Sequence, residues 1–375
     1  MSDISDEIKE VAGTGKYETL SISAGIGFVN QANKFGKELS GKQYEKYTVL
    51  RKGDFAYNKG NSKKYPQGCV YRLKDRDSAA VPNVFECFRI KDGNKNYIEQ
   101  VFISGFLNRQ LSKKINHGVR DDGLLNLTGE DFYKSYIIIP PLPEQEKIAE
   151  ILQTQDKVIE LQQKKIDELK RLKKGYLSKM FPKKGCNVPE IRFPGFTDAW
   201  EQRKAKELCN IGTGKSNTQD QVEDGIYPFY IRSDIPVKSN KYLYDCEAVI
   251  TIGDGNIGRV FHYVNGKFDL HQRCYKMTDF QDIWGKYFYY FFSTRFYDRA
   301  MKMTAKATVD SVRLEMISEM DIWKPTAIDE QKKIAEFFAN LDNLITLHQR
   351  ELEEEQKKKK ALMQLLLTGI VRTNK

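Results

Sequence analysis

The sequence has few of the residues that hold metal ions. Only four histidines occur in 375 residues, and the six cysteines never form a C-x-x-C pair. A structural zinc site needs four closely grouped ligands, so the sequence predicts no metal site. The scattered cysteines are typical of free thiols in a reducing compartment.

Long apolar runs are missing as well. No stretch approaches the ~20 apolar residues that cross a bilayer. The first residues also lack a basic segment followed by an apolar one. These absences predict a cytoplasmic protein that makes no contact with a membrane.

Groupings of catalytic residues are lacking too. The sequence contains no Asn-Pro-Pro-aromatic motif, no clear pair of nuclease carboxylates and no nucleophile–His–acid grouping. It therefore predicts a protein without catalytic residues, which binds its target and leaves the chemistry to others.

Three motifs suggest binding of a nucleotide or a base, but the residues around each motif argue against it. Gly253–Gly258 spells G-x-G-x-x-G, yet β-like residues follow it where a dinucleotide site requires a helix. We expect a turn between strands there, whose glycines let another backbone come close. Gly214–Ser216 resembles the end of a phosphate loop, but Cys209 stands at the position of that loop's first glycine. The aromatic run Tyr287–Phe292 has helical spacing, which favours a core helix over a base-stacking surface.

One segment occurs twice, 186 residues apart. Glu144–Glu150, with the sequence EQEKIAE, returns as Glu330–Glu336, with the sequence EQKKIAE. The offset holds without a gap from Pro143 to Phe181, where 13 of 39 positions are identical. Such repetition predicts a doubled architecture in which a variable block and a helix each occur twice.

Both copies have the pattern of a long amphipathic helix. Apolar residues recur every three to four positions from Pro143 to Phe181 and again from Asp329 to Leu367. A helix of this length extends over ~58 Å, and its apolar stripe needs a partner. We expect the two helices to bury their stripes against each other as an antiparallel coiled coil.

The blocks before the two helices predict two mixed α/β (α+β) domains. The expected division is 1–142 for the first domain, 143–182 for the central helix, 183–328 for a linker and the second domain, and 329–375 for the distal helix and tail. Apolar runs bounded by turn residues place strands in both domains. The expected strands are 47–50, 54–57, 69–73, 84–90, 136–139, 248–252, 260–264 and 320–324, and the expected domain helices are 98–114 and 284–297.

The charge of the chain favours a polyanionic partner. The net charge is +10, and each phosphate that a cation neutralises releases counterions. Loops in both domains mix Lys or Arg, which contact phosphate or guanine, with polar residues that can read base edges. A solvated surface explains any single loop, but similar loops in both domains favour DNA. The predicted DNA-binding residues are Lys59, Asn61, Lys63, Lys64, Asn116, His117, Arg120, Arg232, Ser233, Arg259, His271, Arg273, Lys302, Lys306 and Arg313.

These motifs resemble a known family. Pro140–Ala149 (PPLPEQEKIA), its weaker copy Asp329–Ala335 (DEQKKIA), and Pro189–Phe196 (PEIRFPGF) with Trp200 and Glu201 are similar to the specificity subunit of type I restriction–modification enzymes. The resemblance covers the chain from end to end. It implies two target recognition domains, each reading one half of a split site in double-stranded DNA. The ~58 Å spacer exceeds a DNA turn of ~34 Å, which leaves a gap between the half-sites.

The resemblance also implies partners. The repeated helices would be the spacer and the docking surface for two methyltransferase (modification) subunits, which methylate adenine with S-adenosylmethionine. Restriction subunits would join them, and this chain itself would bind no cofactor. The implied docking and spacer residues are Glu144, Gln145, Ile148, Ala149, Glu330, Gln331, Ile334 and Ala335.

The two halves differ in one respect. The second domain follows the segment Pro189–Trp200, whereas Met1 lies about where the sequence after such a segment should start. We therefore expect a first domain that is shortened at its N-terminus.

Two other classes of function stay open at this point. A nucleotide-dependent DNA-processing enzyme would use Gly253–Gly258 or Gly214–Ser216, and a protein-interaction adaptor would bind peptides with its two domains. Nucleotide binding would identify the enzyme, and salt-dependent, sequence-selective DNA binding would exclude the adaptor.

Overall fold

The computed structural model divides into two compact units. Unit 1 contains Met1–Gln162 and Glu351–Lys375, and unit 2 contains Gln163–Arg350. Each unit therefore contains one globular domain and a part of both long helices. The four predicted segments instead treat each long helix as a segment of its own. The residues that the structure describes are 1–60, 64–115, 125–183, 185–304 and 311–373.

Short strands and a few helices alternate along the chain before each long helix. In unit 1 they are β1 (Ser5–Glu7), β2 (Leu20–Ser23), β3 (Gly27–Asn30), α1 (Gln31–Phe35), a 3-10 helix (Gly41–Lys46), β4 (Thr48–Arg51), β5 (Phe55–Asn58), β6 (Cys69–Arg72), β7 (Ser78–Val81), β8 (Glu86–Ile90), α2 (Lys95–Ile103), α3 (Asn108–Ser112), α4 (Gly129–Tyr133) and the first part of α5 (Leu142–Lys179). In unit 2 they are β9 (Glu201–Lys204), α6 (Ala205–Leu208), β10 (Asn210–Thr213), a 3-10 helix (Thr218–Asp220), β11 (Tyr227–Tyr230), β12 (Val237–Ser239), β13 (Tyr244–Ile252), β14 (Phe261–Leu270), β15 (Cys274–Thr278), α7 (Gly285–Thr304), α8 (Leu314–Ser318), β16 (Asp321–Lys324) and the first part of α9 (Ile328–Leu367).

The two domains have the same central sheet. Its strand order is β1-β8-β5-β6 in unit 1 and β10-β15-β13-β14 in unit 2, where β11 and β12 extend it. The four strands pair antiparallel with corresponding neighbours in both units. The doubled architecture that the repeat predicts is therefore confirmed, although the two domains share little sequence.

The apolar stripe of each long helix joins the core of its own domain. Ile148 and Leu152 of α5 lie in one cluster with the domain helix α2, and Ile334 and Phe338 of α9 lie in one cluster with α7. All four side chains are buried. Most of the aromatic run Tyr287–Phe292 is buried in the same core of unit 2, which confirms a core helix.

Within unit 1 the two long helices run antiparallel. Asp156 of α5 accepts a hydrogen bond from Lys359 of α9 at 2.5 Å, and Gln162 of α5 contacts Glu351 of α9. Residue numbers rise along one helix as they fall along the other, as the predicted antiparallel coiled coil requires.

The two long helices also run antiparallel in unit 2, where α5 supplies the lysine and α9 the aspartate. Lys173 of α5 donates to Asp342 of α9 at 2.5 Å, and these residues lie 186 positions from Asp156 and Lys359 in the repeat. The rings of Tyr176 and Phe337 meet edge to face at 5.1 Å in the same antiparallel sense.

The glutamine of the repeated motif joins each long helix to its domain. The Oε1 of Gln145 accepts the backbone N–H of Asn94 at 2.8 Å, and its Nε2 donates to the carbonyl of Pro140 at 2.7 Å. Asn94 caps α2, and the first N–H groups of a helix have no partner within the helix. Gln145 therefore satisfies one of them and ties the start of α5 to the start of α2.

Gln331 makes the same bonds in unit 2. Its Oε1 accepts the backbone N–H of Trp284, directly before α7, at 2.8 Å, and its Nε2 donates to the carbonyl of Pro325 at 2.9 Å. The side chain is fully buried. The conformation at the start of α9 thus depends on a hydrogen bond to the neighbouring domain helix.

A second pair of contacts accompanies the glutamines. The buried carboxylate of Glu144 binds Arg372 bidentately at 2.5 and 2.7 Å, and that of Glu330 binds Arg192 at 2.7 and 2.8 Å. In both units the arginine lies beyond the end of the other long helix. The Glu-Gln pair of the motif therefore fixes the antiparallel partner as well as the domain.

The predicted strand 136–139 is wrong. Residues 135–141 form no strand, whereas the corresponding segment of unit 2 is β16. A strand requires a neighbour to hydrogen-bond with, and β16 pairs with β9, which follows Trp200. Among the described residues of unit 1, none forms a strand at this edge.

The predicted helix 98–114 is broken in two. α2 ends at Ile103, α3 begins at Asn108, and Gly105 between them has φ +73°. Glycine adopts this left-handed conformation without strain, which ends the helix. The other predicted strands and the second domain helix are observed near their expected positions.

The first prediction concerns the glutamine of the motif. Gln331→Ala removes a buried group that satisfies the N–H of Trp284 and the carbonyl of Pro325, so we expect a loss of ~1–3 kcal/mol in the free energy of unfolding. Urea unfolding followed by circular dichroism measures it. Gln349→Ala, an exposed change in the same helix, is the control and should cost less than ~0.5 kcal/mol. Equal stability of the two variants would contradict the assignment.

Candidate nucleic-acid interface

Unit 1 contains two described residues of the predicted DNA-binding set. Lys59 follows β5 and pairs with Glu86 at 2.8 Å, where both side chains are 18% exposed. This lysine is therefore engaged within its domain. Lys64 is exposed, and its Nζ lies 5.7 Å from the ring centre of Tyr65. The predicted residues Asn61, Lys63, Asn116, His117 and Arg120 lie outside the described residues.

A backbone hydrogen bond joins the same two loops in each unit. The N–H of Leu125 donates to the carbonyl of Lys59 at 2.9 Å, and the N–H of Val312 donates to that of Gly253 at 2.7 Å. Lys59 and Gly253 directly follow the corresponding strands β5 and β13. Leu125 and Val312 lie in the segments that follow the domain helices. In both domains, therefore, the residue directly after the central strand is bonded to the segment that follows the domain helices.

Three loops of unit 2 meet at one carboxylate. Arg232, which follows β11, donates from Nη1 to both oxygens of Asp254 at 3.1 and 3.2 Å. Arg273, between β14 and β15, donates to Oδ2 of Asp254 at 2.8 Å. We call Arg232, Asp254 and Arg273 the arginine cluster. A cavity of about 290 Å³ beside it is lined by Thr218, Ile231, Arg232, Asp254 and Gly255.

Glycines let these loops come together. A Cβ at Gly253 would lie 2.6 Å from the carbonyl oxygen of Arg273, which accepts the N–H of Gly253 at 2.8 Å. A Cβ at Gly214 would collide with the backbone of Leu270 and His271. Both glycine motifs therefore serve close contacts between backbones. The strand β14 follows the first motif, which confirms a turn between strands.

The charges of the cluster influence each other. Burial raises the pKa of Asp254, but the hydrogen bonds from Arg273 and Arg232 outweigh it and hold this pKa below its ordinary value. Burial lowers the pKa of His271, Arg232 lowers it further, and Asp254 opposes them. At neutral pH the cluster thus combines two cationic guanidinium groups and an ionised carboxylate, and the imidazole of His271 beside it is neutral.

This arrangement suits contact with a base or a phosphate. The side chains of Arg232 and Arg273 are 46% and 63% exposed, whereas that of Asp254 is only 19% exposed. Asp254 therefore orients two guanidinium groups that still present donors to solvent. An oriented guanidinium binds guanine or phosphate in bidentate fashion, and a carboxylate accepts from the amino group of cytosine.

His271 contributes to the geometry of the cluster and not to its surface. It is 4% exposed, and its Nδ1 accepts the backbone N–H of Arg273 at 3.1 Å. Its Nε2 lies 3.4 Å from the hydroxyl of Thr218. The predicted direct contact of His271 with DNA is therefore corrected to a positioning role for Arg273.

The remaining predicted residues of unit 2 have other neighbours. The guanidinium of Arg259 lies 4.6 Å from the ring centre of Tyr297 and donates to its hydroxyl at 2.7 Å. Ser233 donates to the carbonyl of Ile235 at 2.5 Å. Lys302 lines a groove of about 910 Å³ together with Lys183, Arg295 and Arg299. Arg313 pairs with Glu315 at 3.3 Å, and Lys306 lies outside the described residues.

The eight predicted docking and spacer residues are buried inside their units. None is more than 3% exposed, so contact with another subunit through these side chains does not fit the structure. These side chains bind each long helix to its own domain, and the spacer role stays a prediction. The docking part of the prediction needs exposed residues instead. The eight are Glu144, Gln145, Ile148, Ala149, Glu330, Gln331, Ile334 and Ala335.

Sequence reasoning missed Asp254 as the centre of the cluster. It lies within the G-x-G-x-x-G motif, which drew attention as a nucleotide signal rather than as a loop that carries an acid. No pattern in the sequence identifies this role, because Arg232, Asp254 and Arg273 come together only in the fold.

The described residues show neither a membrane-spanning helix nor a metal site. No helix in this part of the chain is long and apolar enough to cross a membrane. In the same residues, no group of three or more His, Cys, Asp and Glu side chains is placed to hold a metal ion.

The family of the chain follows from a comparison with family models. The family described as type I restriction modification DNA specificity domain matches residues 9–171 and 197–356. The two matches cover most of the chain and divide it into the two halves seen in the repeat. The chain belongs to this family.

Individual relatives agree. The chain is 26% identical over 284 residues to the type I restriction enzyme MjaVIII specificity subunit of Methanocaldococcus jannaschii. The aligned region covers 67% of this chain and 65% of that protein. It is 25% identical over 307 residues to the putative type I restriction enzyme MjaX specificity subunit of the same organism. The aligned region covers 74% of this chain and 70% of that protein. The chain therefore spans just under two thirds of the length of the first of these relatives.

Solved structures share the fold. A crystal structure of the S subunit of a type I restriction–modification system from M. genitalium matches 98% of this chain and 94% of its own, with a TM-score of 0.65 and 15% identity. A structure from work on complex assembly and conformational transition of the type I R-M system covers 85% of this chain and 83% of its own chain, with a TM-score of 0.53 and 16% identity.

The second prediction tests the electrostatics of the arginine cluster. Asp254→Asn removes a charge that raises the pKa of His271 and leaves the two arginines that lower it, so this pKa should fall further. NMR titration of the imidazole signals measures the change, which is practical because the chain has four histidines. His262 is the control: burial lowers its pKa without a contribution from Asp254, so it should not move. An unchanged His271 would contradict the coupling.

Proposed function

We propose that this chain is the DNA sequence-recognition subunit of a type I restriction–modification complex and catalyses no reaction itself. Its membership of the DNA specificity family carries the proposal. The doubled domains and the arginine cluster support it. Two similar domains suit a site in two halves, and the cluster suits recognition of a polyanion by oriented cations.

Each unit would read one half of a bipartite site in double-stranded DNA. The two domains share a scaffold but differ in the loops that follow β5 and β13, so the same face would present different side chains to two different sequences. In unit 2 the reading residues would be Arg232 and Arg273, held by Asp254. Guanine is the base that arginine reads best, so a G·C pair is the expected target of this cluster.

The complex would supply the chemistry through other subunits. Two methyltransferase subunits would bind S-adenosylmethionine and methylate adenine, and restriction subunits would join them. An adenine in duplex DNA is stacked and must be flipped out before methylation. The role of this chain would be to hold the methyltransferases over the correct bases. This chain itself would bind no cofactor.

The alternatives of the sequence analysis have less support. A nucleotide-dependent enzyme would rely on Gly253–Gly258 or Gly214–Ser216, and both motifs serve backbone contacts between loops. A peptide-binding adaptor would not explain why Asp254 orients two arginines, Arg232 and Arg273, whose donors are exposed to solvent.

The third prediction tests the proposed function. The purified chain should transfer no methyl group, whereas coexpression with its methyltransferase partner should produce methylated adenine at a split sequence. Long-read sequencing of the host genome detects the methylated positions. Methyl transfer by the chain alone, or methylation at a continuous site, would contradict the proposal.

The fourth prediction assigns one half-site to the arginine cluster. Arg273→Ala should relax the sequence requirement at one base pair of one half-site by ~10- to 100-fold and leave the other half-site unchanged, because a lost bidentate contact is worth ~1–3 kcal/mol. The methylated motif of the coexpressed variant gives the result. Arg203→Ala, which removes an exposed arginine in β9, is the control and should keep the parent motif. Uniform weakening at all sites would instead assign Arg273 to a phosphate.

A further inference from the structure

We propose that a groove along the second half of α7 binds an acidic segment of another protein that also carries large apolar side chains. The groove has a volume of about 910 Å³ and lies within unit 2, where α7, the segment that follows α5 and the strand β16 line it. We call it the α7 groove. It shares no lining residue with the cavity beside the arginine cluster, and the inference does not depend on the proposed DNA function.

Three cations of α7 line the groove without a carboxylate to neutralise them. Arg295, Arg299 and Lys302 follow each other at intervals of four and three residues, so they share one face of the helix. Among the residues that the structure describes, no Asp or Glu side chain lies within ion-pair distance of any of the three. Like charges at this spacing repel each other, and a bound anion would relieve the repulsion.

Most other charges of the lining are neutralised within unit 2. Lys183 pairs with Glu190, and Asp321 pairs with Lys204. Asp298 is the other carboxylate of the lining, and the three cations of α7 outnumber it. The groove therefore has a net positive charge at neutral pH, which favours an anionic occupant.

Backbone carbonyls orient the two arginines. Arg295 donates from Nη2 to the carbonyl of Pro182 at 3.1 Å, and Arg299 donates from Nε to the carbonyl of Met316 at 2.7 Å. A carbonyl fixes the direction of a guanidinium but does not cancel its charge. Because an arginine has five N–H donors, both side chains keep donors beyond these bonds. A carboxylate is the acceptor that such donors bind most strongly.

Apolar side chains line the groove beside the cations. Phe291 and Met320 are buried, and Met303 and Trp323 are half-buried, so the last two present apolar surface to an occupant. Methionine adapts its shape to different neighbours. Aromatic residues, methionine and arginine are the residues that protein–protein interfaces favour. The lining thus combines oriented cations with the apolar surface that a protein partner requires.

A protein segment fits this lining better than a DNA duplex does. The outside of a duplex consists of phosphates and sugars, so a duplex would meet the cations and leave the apolar side chains uncovered. A segment with glutamate or aspartate beside leucine or tryptophan would satisfy both parts of the lining. The proposal therefore assigns Lys302, which the sequence predicted to contact DNA, to a protein partner.

The second half of α7 also distinguishes unit 2 from unit 1. Gln145 binds the N–H of Asn94 and Gln331 that of Trp284, so α2 and α7 correspond at an offset of 284 − 94 = 190. At this offset Arg295 stands where unit 1 has Gly105, and α2 has already ended at Ile103. The three cations thus lie beyond the part of α7 that has a counterpart in α2. We expect one acidic segment per chain.

The fifth prediction uses acidic peptides as probes. A fluorescent peptide of sequence GELEEWEELEG should bind the full chain saturably in a fluorescence anisotropy titration at physiological salt. The same peptide with serine in place of leucine and tryptophan should bind at least tenfold more weakly, because it leaves the apolar side chains of the groove uncovered. The peptide with glutamine in place of glutamate should also lose at least tenfold, because its side chains carry no charge.

Variants of the chain locate the peptide. Lys302→Glu should weaken binding of the acidic apolar peptide at least tenfold, because it reverses one of the three charges. Lys238→Glu is the matched control, since it makes the same change at an exposed lysine in β12 of the same unit. It should leave the affinity unaltered. Circular dichroism verifies that both variants fold.

Cys186 reports occupancy of the groove on the unaltered chain. It lines the groove and is exposed, whereas the other five cysteines are buried or half-buried. Bound peptide should therefore slow alkylation of Cys186 by N-ethylmaleimide at least fivefold. Mass spectrometry of the digested chain measures the rate at each cysteine.

Several results would overturn the proposal. They are an absence of saturable binding, equal binding of the serine peptide, an unchanged affinity of the Lys302→Glu variant, and an unprotected Cys186. Single-stranded oligothymidine is the competing probe. If it protects Cys186 at a lower concentration than the acidic apolar peptide does, the groove belongs to a nucleic acid and the proposal is likewise overturned.

Discussion

In each unit the hydrogen bonds of one glutamine side chain join the long helix to the domain. Gln145 and Gln331 connect the start of a long helix to the start of a domain helix and to the proline that precedes the long helix. Because both glutamines are buried, the cost of leaving their partners unsatisfied is high. Because the domain helix packs on the central sheet, the junction also links the long helix to the sheet that carries the loops.

The loops of the candidate interface can vary in sequence because the junction fixes the scaffold that carries them. Loops can differ widely when a fixed scaffold positions them. In unit 2 the scaffold brings Arg232 and Arg273 to Asp254, so that one partly buried acid orients two exposed cations. The corresponding loop of unit 1 begins with Lys59 instead, which pairs within its own domain. The same fold thus presents two different surfaces.

The features predicted from the sequence are those that depend on local pattern. Helical spacing predicted both long helices, and their shared stripe predicted antiparallel pairing. The strand at 136–139 was wrong, because a strand depends on a neighbour elsewhere in the chain, and the apolar run gave no information about that neighbour. Three loops distant in sequence converge on Asp254, so its role depends on tertiary structure. The motif residues Glu144 and Gln145 were predicted to dock another subunit, but both side chains are buried inside their own unit.

The glutamine junction has a consequence for the evolution of such chains. Its hydrogen bonds go to backbone groups alone: the N–H before a domain helix and the carbonyl of the preceding proline. Backbone groups are the same whatever side chains surround them. The hydrogen bonds of the junction therefore set no requirement on the side chains of the domain, whereas the apolar contacts of the long helix with the domain core do. Recombination between genes at the two repeated segments would create new pairings of domains without a redesign of the junction.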